Sequence, residues 1–366
     1  MKILLLGEYS NVHATLAEGL RALGHNVLVA SDGDGWKNYP RDIDLSRPKK
    51  ANHFSLAKYY ISLWRKFFSF RGYDIVQIIN PVFLPLKAER IMPFYRYLRR
   101  HNKKVVLGAF GMDYYYIKAC LGCKIFRYSD FNFGFEVRHY PLGDAFIRDW
   151  YEGEKGRLCK TIAHDCDKIV AGLYEYFASY QLEFPDKTVF VPFPIRVRQT
   201  LPEKVQSDTV TFFVGIQKGK EEYKGTDIML RALKRLESEM PERCRVEIAE
   251  SLPFEEYRRC LRGSDVLIDQ LYSYTPAMNA LEAMSQGIVV VSGGEPENYV
   301  ILGEVDLKPV VNVLPIEDDV YEKLCHIALH PEELLKRRRE GLEYIRRHHD
   351  MQKVAERYAE IYESLL

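Results

Sequence analysis

Apolar residues along this chain come in short runs separated by stretches of helical period. Ile3 to Leu6 is the first such run. Short apolar runs bounded by turn signals predict buried strands. On that pattern strands are expected over 2–7, 26–31, 75–79, 105–109, 168–171 and 188–191, and helices over 14–23 and 87–101. Strands alternating with helices predict a parallel sheet covered by helices. Two prolines in Val191-Pro192-Phe193-Pro194 interrupt the pattern and read as a linker. Beyond it the rhythm restarts, with strands over 209–214, 245–248, 266–270 and 288–292 and helices over 226–239, 254–261 and 277–285. The remaining C-terminal residues read as helical, and Val354, Tyr358, Ile361 and Leu365 form one apolar stripe.

A chain of 366 residues exceeds what one hydrophobic core serves, and the pattern has two similar halves. The expected fold class is therefore α/β, with two Rossmann-like domains over residues 1–193 and 194–350. Their parallel sheets are expected to face an interdomain cleft, where ligands of such pairs bind. With 47% apolar and 28% charged residues the composition is globular. No apolar run is long enough to span a bilayer. The first run meets Glu8 almost at once, which reads as a strand rather than a secretory signal. A cytoplasmic setting is expected, where seven cysteines are free thiols.

The net charge of +1 hides an asymmetry. Residues 45–112 carry fourteen Lys or Arg against Asp74 and Glu89, a local net of +12, which leaves −11 for the rest. Such a stretch is either an anion-contacting surface or a solvated basic face.

Several familiar signals fail. The first strand ends in Gly7-Glu8-Tyr9-Ser10, not in a three-glycine dinucleotide fingerprint, so no nicotinamide or other cofactor is expected. The 215–221 loop has the wrong spacing for a P-loop, and Glu221 stands where a magnesium-binding hydroxyl is needed. Asp-x-Asp occurs at Asp32/Asp34, Asp42/Asp44 and Asp165/Asp167, and three occurrences favour solvated turns over a metal site. Cys120 and Cys123 lack a second close pair for zinc, so no metal is expected.

Two linked features carry positive information. Gly215-Ile216-Gln217-Lys218-Gly219-Lys220-Glu221-Glu222-Tyr223-Lys224-Gly225 lies between a strand and a helix, and its lysines suit a diphosphate. From Tyr274 through Pro276-Ala277-Met278-Asn279-Ala280-Leu281-Glu282-Ala283-Met284 to Gly287, another helix begins just after a strand and offers free backbone N–H groups.

Together these resemble the "group 1" glycosyltransferases, a retaining family of GT-B fold. The resemblance rests on Lys224-Gly225, Asp265-Val266, Glu282-Ala283-Met284-Ser285-Gln286-Gly287 and Gly293-Gly294-Glu295-Pro296-Glu297 in that order. Gly111-Met112-Asp113 and Asp167-Lys168-Ile169-Val170-Ala171 extend it into the first half. It implies an enzyme that moves a sugar from a UDP- or GDP-sugar donor to a glycan, lipid-linked or small-molecule acceptor, with retention and without a metal. It also implies a C-terminal helix, residues 351–366, returning towards the first domain.

By the resemblance Glu282 accepts hydrogen bonds from the donor ribose, and Lys218 or Lys220 with Lys224 neutralises the diphosphate. Backbone amides near Met278 and Asn279 assist, and Gly7 lets the first loop approach the phosphate or sugar. Asp113, Tyr274 and His13 are the catalytic candidates, for contact with the reacting sugar or acceptor, and Asp113 reads equally as a cap for the segment that follows it. The chain departs from the family at Tyr274, where a second glutamate is usual, at Ala277 for a glycine, and at Phe110 for a histidine. Tyr274 cannot carry negative charge near neutrality. A non-catalytic nucleotide-sugar or glycan-binding relative and a nucleotide-sugar epimerase on the same fold therefore stay open.

For the acceptor side, residues 55–70 place Ser55, Lys58, Ser62, Arg65, Lys66 and Ser69 on one helical stripe, with Leu56, Tyr59, Tyr60, Leu63, Trp64, Phe67 and Phe68 filling much of the rest. The helix is either core-packed or interfacial, bringing the protein to a lipid-linked acceptor on an anionic membrane. Nucleic acid is not expected as a partner. The Tyr- and Phe-rich stretch 114–150 suits stacking on sugar rings.

Overall fold

A computed structural model describes residues 1–48, 52–202, 207–250, 252 and 254–366. Its strands in chain order are β1 (Lys2–Leu6), β2 (Asn26–Ser31), β3 (Ile43–Asp44), β4 (Ile75–Ile78), β5 (Lys104–Ala109), β6 (Asn132–Phe133) and β7 (Glu136–Val137). Then follow β8 (Lys168–Ala171), β9 (Thr188–Phe190), β10 (Val210–Ile216), β11 (Cys244–Glu250), β12 (Val266–Ile268), β13 (Val289–Ser292) and β14 (Val311–Asn312). The chain divides into two compact units, the first holding Met1–Lys118, Phe146–Pro194 and Met351–Leu366, the second Ala119–Ala145 and Ile195–Asp350.

The first unit is built on a seven-stranded sheet in the order β3-β2-β1-β4-β5-β8-β9, parallel throughout. Its central strands are apolar runs because helices cover both faces of a parallel sheet. Ile3, Leu4, Leu5 and Leu6 are fully buried, as are Ile75, Val76 and Ile78. Gln77, the polar member of β4, is equally buried, so its amide needs partners. The helix Met351–Leu365 supplies one, since Tyr362 Oη donates to Gln77 Oε1 at 2.7 Å. That helix buries Val354, Ala355, Tyr358, Ala359 and Tyr362, while the expected stripe members Ile361 and Leu365 are only half-buried.

The Tyr362 hydroxyl is therefore a structural bond. Tyr362→Phe keeps the ring and leaves Gln77 Oε1 short of a donor, which should lower unfolding stability by about 1–3 kcal/mol. Urea denaturation measures this, and an unchanged midpoint would contradict it.

The second unit has five parallel strands in the order β11-β10-β12-β13-β14. Its core gathers Val210, Phe212, Val214, Met229, Leu233, Val266, Ile268, Val289 and Val291 with Val320 and Leu324 from the helix Glu317–Leu329. Residues 119–145, which the apolar rhythm assigns to the first domain, pack in this unit instead. They form the β6–β7 hairpin and a strap of aromatic and basic residues, some of whose partners lie far along the chain.

The helix His53–Phe67 has one face for each of the two readings. Tyr59, Leu63 and Phe67 face the core, but Phe54, Ile61 and the adjoining Phe68 are 81%, 56% and 58% exposed. Lys58 and Arg65 are exposed too. Of the basic stretch, Lys49 and Lys50 lie outside the described residues. No helix among the described residues is long and apolar enough to cross a membrane.

Candidate functional site

In open parallel sheets, ligands bind beyond the C-terminal strand ends where the strand order reverses. In the second unit that point lies between β10 and β12. The loop after β10 holds the lysines; the loop after β12 leads into the helix Met278–Ser285. The two loops touch, because Leu271 N donates to Lys224 O at 3.1 Å. The sheet thus brings Lys218, Lys220, Lys224, Met278, Asn279 and Glu282 onto elements around one point.

Lys218 and Lys220 are exposed, and Lys224 is half-buried at the end of the helical turn Glu221–Lys224. Lys218 Nζ stands 3.5 Å from Glu250 Oε1, a pairing between exposed groups that costs little to exchange for a phosphate. Ala277 precedes the helix with no side-chain cap, so the first backbone N–H groups keep their donor capacity. Asn279 is held by both ends of its amide, accepting from Tyr257 Oη at 3.0 Å and donating to Asp269 Oδ1 at 2.9 Å. Ala280, Leu281, Ala283 and Met284 turn into the core, and Glu282 is half-exposed on the same face as Met278. Its Oε1 accepts from Gln286 Nε2 at 3.2 Å, one turn along the helix.

Tyr274 sits beside this group but points elsewhere. Its ring is buried between Phe126 and Tyr128 of the strap, and its hydroxyl accepts the backbone N–H of Arg127. Burial pushes the phenol up to about 12. The phenol is thus held by the strap through both its ring and its hydroxyl. The Arg127 guanidinium lies 4.8 Å from the Tyr274 ring centre and bridges Glu295 and Glu297. Gly293 is required at this corner, because a Cβ there would stand 1.7 Å from Ser273 O. Arg138 makes a further contact, donating to Glu222 O at 2.7 Å with its guanidinium 3.4 Å from the Tyr272 ring centre. The sequence held Glu295 and Glu297 in a recognisable motif, but nothing local singled out Arg127.

In the first unit the reversal falls between β1 and β4. Gly7 closes β1 with φ +86°, and a Cβ there would meet Ile79 Cγ2 at 2.4 Å, so the fold itself demands glycine. His13 is fully buried. Its Nδ1 donates to Gly7 O at 2.8 Å and its Nε2 accepts from Gln77 Nε2 at 3.1 Å, which fixes one neutral tautomer. Burial lowers its pKa to about 3. Asp113 is fully buried as well, capping the helix Tyr114–Leu121 by accepting Tyr116 N at 3.0 Å and the Tyr180 hydroxyl at 2.9 Å. Burial raises it to about 6. Both side chains are thus hydrogen-bonded inside the unit.

Glu8 was not singled out by the sequence. It is buried, and its two oxygens accept His13 N at 3.2 Å and Ala14 N at 2.9 Å at the start of the helix Val12–Ala22. Burial lifts its carboxyl to about 8, against the pull of those amides.

The Asp-x-Asp pairs are turns and ion pairs, with Asp34 on Lys37, Asp42 on Arg21, Asp44 on Arg41 and Asp167 on Arg99. Among the described residues no group of His, Cys, Asp and Glu could hold a metal ion. A groove lined by Leu201, Leu335, Arg338, Leu342 and Arg346 lies at the far end of the Met278–Ser285 helix and includes none of the site residues.

No family model matches the sequence, and no curated relative matches it. Solved structures do. Sucrose-phosphate synthase from Thermosynechococcus elongatus is similar over 100% of this chain and 99% of its own, with TM-score 0.65 at 12% identity. HepE of Anabaena, in complex with UDP and glucose, is similar over 100% of both chains, with TM-score 0.60 at 11% identity. UDP-GlcNAc 2-epimerase from Neisseria meningitidis, bound to UDP-GlcNAc, covers 100% of both with TM-score 0.54 at 12% identity. At such identities the likeness establishes the fold, which is α/β of the GT-B class with two parallel-sheet units.

Proposed function

We propose that this chain is a glycosyltransferase that binds a nucleotide-diphosphate sugar on its second unit and transfers the sugar to a glycan, lipid-linked or small-molecule acceptor. The observation that carries the reading is the meeting of a three-lysine loop, an uncapped helix start and Glu282 at the reversal point of the second sheet. Glu282 accepts hydrogen bonds from the ribose diol, for which a carboxylate has acceptors enough. Lys218, Lys220 and Lys224 with the amides at Met278 and Asn279 neutralise the diphosphate. Charge on that diphosphate grows as the glycosidic bond breaks, so fixed cations and a helix end accelerate the chemical step rather than merely binding. With those charges the leaving group needs no metal, and the resemblance to a retaining family supports retention of the donor's configuration. GT-B structures that hold UDP and UDP-glucose support a uridine donor.

Thermal-shift titration with UDP, GDP and their hexose conjugates tests the binding; at equal concentration the preferred donor should raise the midpoint most, the shift growing with the logarithm of its affinity. No shift with any of them would refute the reading. Donor hydrolysis and product analysis then separate transfer from epimerisation, and full dependence of activity on added manganese would contradict the leaving-group assignment. The enclosed Tyr274 favours one second reading, a nucleotide-sugar-binding protein without turnover, which binds the donor and never consumes it.

The acceptor reading includes peripheral contact with an anionic membrane through the helix His53–Phe67. Exposed Phe54, Ile61 and Phe68 supply an apolar ridge flanked by Lys58 and Arg65. Each basic residue near an anionic bilayer contributes about 1 kcal/mol, and the effect fades as salt rises. Sedimentation at low salt should recover the protein with phosphatidylglycerol vesicles and not with phosphatidylcholine. Serine at Phe54 and Ile61, 81% and 56% exposed, should abolish recovery while the melting temperature holds. Equal, negligible recovery with both lipids would leave this face as solvated surface.

A further inference from the structure

We infer that Arg127 is a positioning residue for the donor's sugar, holding Glu297 so that its carboxylate receives a sugar hydroxyl. The inference rests on the reading that the second unit binds a nucleotide sugar. It begins from the strap, which leaves the first unit's sequence and contacts all three loops at the C-terminal ends of β10, β12 and β13. Arg138 reaches Glu222 after β10, and Arg127 reaches Tyr274 after β12 and both glutamates after β13.

The two glutamates are not equivalent. Glu295 has only 7% of its side chain exposed, with Oε1 accepting from the Tyr128 hydroxyl and from Asn312 Nδ2 at 3.0 Å and Oε2 from Arg127 Nη2 at 2.8 Å, so burial closes it to a ligand. Glu297 keeps 27% of its side chain exposed, and both its oxygens are held by Arg127, with Nη2 at 3.1 Å from Oε2. A carboxylate offers about four lone-pair sites, so with a bidentate arginine and its own backbone N–H beside it the partly exposed Glu297 keeps one for a ligand hydroxyl. Burial pushes the Glu297 carboxyl up, but the Arg127 hydrogen bond and charge outweigh it and hold the group below the usual carboxylate range. An oriented, ionised acceptor in the first turn of the helix Pro296–Leu302, which follows β13 one strand along from the reversal point, matches a polyol, whose hydroxyls are donors.

Tyr274 explains why arginine can do this. Its hydroxyl fixes the Arg127 backbone and its ring lies under the guanidinium. A glutamate at 274 would pull the guanidinium away from Glu297 as a third carboxylate. The residue that departs from the resembled family thus serves as the platform for Arg127.

The test compares UDP with UDP-glucose, and GDP with GDP-glucose, by calorimetry, and reads how much the glucose adds to the affinity of the preferred nucleotide. Arg127→Met and Glu297→Ala should each reduce the sugar's contribution at least tenfold and leave the affinity for the nucleoside diphosphate within twofold. Arg127→Lys, which keeps the charge but not the fork, should recover only part of the loss. The double variant Arg127→Met/Glu297→Ala should bind no worse than either single one, because the two residues act as a unit. A merely structural role would lower nucleotide affinity and melting temperature together and single out nothing about the sugar. An unchanged sugar contribution in folded Arg127→Met, or additive losses in the double variant, would overturn the inference alone. Wild-type protein that binds none of the four probes overturns the parent reading and the inference with it.

Discussion

Glu282→Ala is expected to weaken binding of the nucleoside diphosphate by about 1–3 kcal/mol, roughly 5- to 150-fold, without unfolding the protein. The argument starts from its place on the Met278–Ser285 helix. Ala280, Leu281, Ala283 and Met284 are buried and anchor that helix, whereas Glu282 is half-exposed and its hydrogen bond to Gln286 stays within one helical face. Truncating it opens no core cavity, and alanine is the best helix former, so the melting temperature should hold. The loss then reports the ligand: two ribose hydroxyls lose a charged acceptor. Glu282→Gln keeps the shape and one carbonyl acceptor and should lose less. Calorimetry with the preferred nucleotide measures both, and an unaltered affinity in folded Glu282→Ala would remove Glu282 from the site.

A second large effect is expected in the pH dependence of stability. Glu8 titrates near 8 in the folded chain against 4.5 as its ordinary value, and Asp113 near 6 against 3.8, both because burial disfavours the charged form. A raised carboxyl binds more protons in the folded state, so its contribution is full below the ordinary value and is lost as pH rises through the folded one. His13 has the opposite sign. Burial lowers it from 6.5 to about 3, so its contribution rises with pH and is complete above 6.5. Asp113 and His13 therefore oppose each other in acid, and between pH 6.5 and 8 Glu8 alone of the three still titrates.

Stability should fall across that window by up to about 1.4 kcal/mol per pH unit, about 2 kcal/mol in all. Melting temperatures taken at pH 6.5, 7 and 8 test this, with Glu8→Gln expected to be flat over the same range whatever its absolute stability. A wild-type midpoint that rises or stays level from pH 6.5 to 8 would count against a neutral Glu8, as would a Glu8→Gln protein that keeps the decline.

The strands and their parallel order of use were legible because each depends on neighbours in the chain. A strand buried on both faces must be a short apolar run, and Ile3 to Leu6, Val210 to Val214 and Val289 to Val291 are such runs whatever they pack against. The lysine loop and the helix at Met278 were legible for the same reason, since glycine and charge punctuate a strand-to-helix turn locally. The short edge strands β3 and β14 were not, because two residues carry no period.

The roles of single side chains were decided only in three dimensions. His13 and Asp113 each have one local partner, Gly7 O and Tyr116 N, and one far along the chain, Gln77 and Tyr180, which no local pattern shows. Arg127 lies 147 residues from Tyr274 and 170 from Glu297, and no periodicity spans such distances. Hydrophobic pattern records which residues leave water, a property each segment carries by itself. Which charge meets which hydroxyl depends on how the segments fold together, and so the apolar rhythm assigned the strap to one domain while its arginines and aromatics found their partners in the other.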